Sequence, residues 1–309
     1  LETLPKDKSM SGMDIELVGR ADLWTYQSCD SYNESPLTQS YVDAGKLPPV
    51  NERMPKEPWM AKKDQMVDGI GEYGGTFRHV IGGRPEGFNW LAGQSQGWGG
   101  INIQLMESLT RLGPLWQVKA EEANPLPNLA KDWEFSDDRK SLTMYLLEGA
   151  RWSDGNMFDT EDIDFWWNDN VQDANVNSRL PKDALGAGTT LEILGPYSFK
   201  FNFDEPKGNA VLAQLAYMGG APGPSHVMKS LHPSYNSDAT YESYANGMPA
   251  SVLPIVTMGA FVPVVHKVDE LMVMKRNPYY WKVDEDCNQL PYYNETIYKL
   301  SLIHISEPT

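Results

Sequence analysis

The stretch SDDRKSLTMYLLEGARWSDGNMFDTEDIDFWW, from Ser136 to Trp167, constrains the fold more than any other part of this 309-residue chain. Within it Ser141–Leu147 alternates, with Leu142, Met144 and Leu146 on one side and Thr143 and Tyr145 on the other, the period of a half-buried strand. Polar turns bound it, Asp137-Asp138-Arg139-Lys140 ahead and Ser153-Asp154-Gly155 behind. Asp159 then stands as a helix cap. Glu161 and Asp162 fall in the first turn, where the positive end of the helix dipole favours carboxylates. Ile163, Trp166 and Trp167 follow at i, i+3 and i+4, the spacing of a core-facing stripe, and Phe165 lies on another face.

The same mixture of short strands and capped helices runs through the rest. Residues 1–75 are polar and Pro-rich and read as an arm laid along a surface. One helix inside it is well signalled by Ser35 as cap, Pro36 at the first helical position, an apolar face of Leu37, Tyr41 and Ala44, and Gly45 as the stop. Thr76–Ile81 reads as the first strand of a lobe spanning 76–270. Residues 84–100 form a loop, and Ile101, Leu105, Ser108 and Leu109 mark a helix. Leu191–Leu194 and Ser198–Phe203 are two strands joined through Gly195-Pro196. Helices are expected over Asn209–Tyr217 and from Pro224-Ser225, and Leu271–Lys275 is a further strand. The class is α+β (mixed α/β).

Several functions are disfavoured by composition. No apolar run approaches the roughly 18 residues of a membrane-spanning helix. A net charge of −16 argues against a nucleic-acid partner and is expected to keep the chain monomeric. Cys29 and Cys287 are too far apart for a local metal knuckle. They could form one long-range disulfide or both be incidental, and the second reading is preferred. His226 and His232 are six apart, not the i, i+4 of helical zinc ligands, and are read as surface histidines. No metal or other cofactor is expected.

Arg151–Trp167 (RWSDGNMFDTEDIDFWW), Pro127–Trp133 (PNLAKDW), Lys275–Trp281 (KRNPYYW) and Leu290–Tyr298 (LPYYNETIY) occur in the same order as motifs of the family 5 extracellular solute-binding proteins. The chain resembles that family, the peptide, dipeptide and nickel-type binding components of ABC importers. Gly45–Pro55 and Gly71–Arg78 resemble a subgroup with a long N-terminal arm. The resemblance implies a two-lobed periplasmic-binding-protein-like fold, mostly the first lobe being present. Residues 76–270 would be that lobe with an inserted subdomain, and 271–300 the start of a transition toward the second. Residues 301–309 (SLIHISEPT) are expected to be a non-native tail, and members of the subgroup would run to about twice this length. The implied role is an extracytoplasmic one, with or without a lipid anchor: capture of peptides by lobe closure, for delivery to permease subunits in the membrane. Nickel, a heme-like compound or an oligosaccharide are the alternative ligands.

The loop Asn89–Gly100 (NWLAGQSQGWGG) is the candidate ligand site. Trp98 stands between Gly97 and Gly99, whose missing side chains admit a close ligand backbone. Gln94, Ser95 and Gln96 offer donors and acceptors. The resemblance adds Phe165, at a position that reaches ligand in some members; Met218–Pro224, which joins two elements of the first lobe, is read as a cleft border. Gly93–Gly97 also matches the G-x-S-x-G nucleophile elbow, which makes a serine hydrolase acting through Ser95 a remote alternative. Phe88–Ala92 lacks the β-branched run of the strand that such an elbow follows, so the chain is read as a non-enzyme.

Overall fold

The computed structural model describes residues 19, 22–63, 66, 68–81, 83, 85–97, 100–112 and 125–300. The expected tail at 301–309, most of the first 21 residues, and Trp98 and Gly99 lie outside the described residues. In chain order the elements are β1 (Trp24–Tyr26), α1 (Pro36–Asp43), α2 (Val50–Arg53), β2 (Trp59–Ala61), β3 (Thr76–Ile81), α3 (Ile101–Leu105), β4 (Thr110–Arg111) and β5 (Leu126–Pro127). There follow β6 (Ala130–Phe135), β7 (Ser141–Leu146), α4 (Thr160–Asp164), β8 (Thr190–Gly195), β9 (Ser198–Asn202), α5 (Ala210–Gln214), α6 (Ser225–Met228) and α7 (Tyr241–Ala245). The last strands are β10 (Phe261–Lys267), β11 (Leu271–Arg276), β12 (Lys282–Asp284) and β13 (Glu295–Leu300). No helix among the described residues is long and apolar enough to cross a membrane.

Local signals are obeyed closely. The Ser35 side chain accepts from the Thr38 amide at the start of α1, and Gly45 beyond its end has φ +66°. The helix rests on the surface all the same: its buried side chain is Thr38, and Tyr41 points outward. Asp159 caps α4 reciprocally with Asp162. The antiparallel sheet β6-β7-β9-β8 puts Leu142 opposite Phe201 and Met144 opposite Phe199, and all four are fully buried. Trp167 meets Phe201 edge-on at 4.8 Å. The stripe of Ile163, Trp166 and Trp167 is core, as its spacing requires.

After Asp164 the helix widens into a π-helical turn, Phe165–Val171. A wider turn redistributes side chains around the axis. Phe165, Trp166 and Trp167 are all buried; Phe165 keeps a face of its own, against His232 and Tyr235, while Trp167 meets Phe201.

The largest differences are non-local. The arm at 1–75 holds two strands as well as helices: β1 pairs with β2, and β2 pairs in parallel with β12. Residues 271–300 supply β11, β12 and β13, which pair back onto β10, β2 and β3. A four-stranded sheet in the order β10-β11-β13-β3 results, with β3 and β13 parallel. β3 is an edge strand that exposes Phe77 (43%) and Val80 (58%). The Ile101–Leu109 helix stops at Leu105, with Met106 extended, although Ile101, Leu105 and Leu109 are all fully buried.

Cys29 and Cys287 are bonded, which corrects the reading of both as incidental. Nothing near either residue signals this, because the partners are 258 positions apart. Pairing of β12 with β2 and exchange of backbone bonds between Asn33 and residues 287–289 bring them together. Both pack on Val50, Met54, Met60 and Val283. Closing so long a loop restricts the unfolded chain strongly. Replacing both cysteines by alanine is expected to lower the unfolding free energy by about 2–5 kcal/mol. Urea melts under non-reducing conditions check this, and an unchanged midpoint would contradict it.

Candidate functional site

The loop between β3 and α3 is built from its own polar side chains. Asn89 is fully buried; its Oδ1 accepts from the Ala92 amide and its Nδ2 donates to the Tyr244 carbonyl at 2.6 Å. This closes a 3-10 turn at Trp90–Ala92, and Trp90 Nε1 donates to the Pro222 carbonyl at 3.2 Å. Gly93 ends the turn at φ +81°, and a Cβ there would lie 2.6 Å from the Asn177 carbonyl oxygen. Both the backbone angle and the space therefore require glycine. The Phe88 amide donates to the Met248 carbonyl, and Gln94 Nε2 donates to Asn246 Oδ1 at 3.0 Å.

Two of the side chains expected to meet a ligand are thus used internally. Gln96 is buried, and its Nε2 donates to the carbonyls of Gly87 (3.2 Å) and Gln94 (2.6 Å). Gln94 anchors the loop to Asn246. Ser95 Oγ accepts from the Gly97 amide at 3.3 Å, and the Ser95 amide donates to Glu86 Oε2. A 3-10 turn leads to Ser95 where a nucleophile elbow would have a strand. Phe165 is 0% exposed, against His232 and Tyr235, so no part of its ring faces solvent. Of the seven residues, Gln94, Ser95, Gln96 and Gly97 are brought together, Phe165 lies apart in the core, and Trp98 and Gly99 lie outside the described residues.

Beside the loop is a recess of about 390 Å³ lined by Gly93, Asn177, Ser178, Arg179, Met218 and Gly219. Arg179 Nη2 donates to the Gln94 carbonyl at 2.6 Å, which fixes this wall to the loop. Met218 also lines a second recess of about 440 Å³, with Ile103, Glu107, Arg111, Leu112 and Lys282 among its other walls. The two recesses adjoin across Met218, a residue of the segment expected as a cleft border.

The second recess has a charged wall that sequence reasoning missed. Glu107 Oε1 accepts from Tyr280 Oη (2.8 Å) and Lys282 Nζ (2.9 Å), and its Oε2 accepts from Asn128 Nδ2 (2.9 Å). The Glu107 and Lys282 side chains are 11% and 7% exposed. Lys282 Nζ also lies 4.6 Å from the Trp281 ring centre and 5.4 Å from that of Trp59. Burial pulls the Lys282 pKa down to about 8 against the opposing pull of Glu107. Burial pushes the Glu107 carboxyl up, but Lys282 and Arg111 outweigh it and hold the group below its ordinary value. The Arg111 guanidinium lies 5.7 Å over Trp59, which stacks on Trp24. The one available signal was a lone lysine set in the aromatic run Tyr279-Tyr280-Trp281. Among the described residues no cluster of three or more His, Cys, Asp or Glu is arranged to hold a metal ion.

A mixed α+β lobe thus carries a polar loop and an adjoining groove on a disulfide-tied frame. The family model for bacterial extracellular solute-binding proteins, family 5 (middle), matches residues 124–301, and the chain belongs to that family. It is 50% identical over 291 residues to the periplasmic alpha-galactoside-binding protein of Rhizobium meliloti, covering 93% of this chain and 42% of that protein. Among solved structures, the periplasmic binding protein MelB of Agrobacterium fabrum, in complex with stachyose, superposes with a TM-score of 0.91 at 46% identity. That match covers 97% of this chain and 44% of the other. An oligopeptide-binding protein OppA superposes at 0.72 with 28% identity, over 88% of this chain and 42% of that one. The chain spans less than half the length of these relatives.

The charge pair gives a direct test. Glu107→Leu leaves Lys282 buried without its carboxylate and is expected to cost about 3–5 kcal/mol of stability. Lys282→Met in the same chain should recover much of that loss, because it removes the stranded charge. Denaturant melts of both single variants and the double variant read the coupling; strictly additive losses would contradict the pair.

Proposed function

We propose that this chain is part of the substrate-binding component of an ABC importer, working outside the cytoplasm, and that its solute is an oligosaccharide of the α-galactoside class. The observation that carries the solute class is the 50% identity, sustained over 93% of the chain, to a protein named for binding α-galactosides. The superposed structure that holds stachyose supports it, as the similarity to oligopeptide-binding proteins is much lower. Peptide, the ligand first expected, becomes the second reading.

The groove chemistry agrees with a neutral polyol. Asn177, Ser178 and Arg179 offer donors and acceptors along the recess beside Gly93. Glu107 is engaged by Tyr280, Lys282 and Asn128, so its charge is already balanced and is poorly placed to fix a peptide ammonium. A saccharide held by such groups would be bridged in part by water, and closure of the whole protein around it would present the surface that permease subunits recognise. The Cys29–Cys287 bond supports an oxidising, extracytoplasmic setting.

Calorimetry on this chain extended to the length of its relatives tests the reading. Stachyose is expected to bind with measurable heat, and a mixture of di- to pentapeptides to give none. Heat with peptides alone would reverse the assignment.

A further inference from the structure

His232 was expected at the surface, yet it is fully enclosed. Four aromatic rings surround it: Tyr244 at 4.6 Å, Tyr241 at 5.7 Å, Phe165 at 5.8 Å and Tyr235 at 6.2 Å, all steeply inclined to the imidazole. Its Nδ1 accepts from the Ser234 amide at 3.2 Å. That bond assigns the proton of the neutral ring to Nε2, an atom that is buried. A second proton would go to Nδ1, where it would face the Ser234 N–H and break the bond.

The cage is also the anchor of the ligand loop. Phe165 comes from the π-helical turn, whereas Tyr241 and Tyr244 belong to α7. The segment that α7 leads into grips the loop at three points. The Tyr244 carbonyl accepts from Asn89 Nδ2, Asn246 Oδ1 accepts from Gln94 Nε2, and the Met248 carbonyl accepts from the Phe88 amide. We propose that His232 is a positioning residue: neutral, it clamps α7 onto the π-helical turn and so holds the loop 88–96 in shape, and protonated, it releases that loop.

Other charged and titratable groups face the cage from each element around it. Asp169 and Asp173 accept from Tyr235 Oη (2.7 Å) and Tyr241 Oη (2.5 Å), and Tyr244 Oη donates to Asn170. Lys229 Nζ lies 5.6 Å from the Tyr235 ring. Burial lowers the His232 pKa, and the two aspartates oppose it without overcoming it. An opened cage, with an ordinary histidine, therefore binds the proton more readily than the closed one. Closure is complete above about pH 6.5, the ordinary histidine value, and weakens as pH falls below it.

The clamp does not depend on which solute binds; only its consequence for capture rests on the reading of the loop as a ligand contact. The test therefore reads the loop without ligand. Amide hydrogen exchange of Phe88 and Gln94 is measured in the 309-residue chain at pH 7.5 and 5.0 and corrected for intrinsic rates. Protection of both amides is expected to be lower at pH 5.0 than at pH 7.5, because burial holds the His232 pKa below its ordinary value. His232→Phe, which keeps a ring in the cage, is expected to retain protection at both values. A pH-independent wild type, or the same fall in the variant, would overturn the proposal; a merely structural ring would give no such pH profile. Should the variant fail to fold, the wild-type imidazole decides by its NMR titration: a midpoint at or above 6.5 overturns the clamp, and one clearly below supports it.

Discussion

Two parallel pairings hold this molecule together: β2 with β12, and β3 with β13. Each joins a strand from the first third of the chain to one from the last tenth. Everything between, including the four-stranded antiparallel sheet and the loop beside the groove, is an excursion that starts and returns at this seam. Parallel strands need long connections, and here the connection is most of the protein. The Cys29–Cys287 bond lies at the same seam and makes the return covalent.

The loop between β3 and α3 shows how such a frame turns polar residues inward. A loop of Gln, Ser and Gly next to a groove suggests side chains waiting for a solute. Much of that hydrogen-bonding capacity is instead consumed in shaping the backbone: Asn89 ties the turn to Tyr244, Gln96 spans Gly87 and Gln94, and Gln94 reaches Asn246. What stays open beside it is the wall formed by Gly93, Asn177, Ser178 and Arg179 and the recess beyond Met218. A preorganised loop loses less freedom when solute arrives, so internal bonding of this sort aids binding without touching the ligand.

Features legible in the sequence are those decided within one turn or one strand. Ser35 and Asp159 as caps, Gly45 as a stop, and the alternation of Leu142, Met144 and Leu146 all have causes a few residues long. The family order of motifs carried the assignment further than any single motif could. What escaped depends on partners far away in the chain. Nothing near Cys29 points to Cys287, and nothing near Glu107 points to Lys282, 175 positions on. His232 looked exposed because its cage is assembled from the π-helical turn and α7, and the burial of Phe165 comes from the same distant partners. The charged wall of the groove was invisible for the same reason: Glu107 and Lys282 become a pair only after the seam has closed.

The parallel pairing of β3 with β13 also has a consequence in time. On a ribosome adding roughly 5–20 residues each second, β3 emerges tens of seconds before β13, its strand partner among the described residues, is made. Through that interval Phe77 and Val80, still partly exposed in the finished sheet, travel on an unpaired strand. The two flanking glycines, Gly74 and Gly75, and the charge of Arg78 on that strand offer some protection against premature association. Among the described strands, pairing of β3 thus waits for β13, and the early strand must remain uncommitted until it arrives.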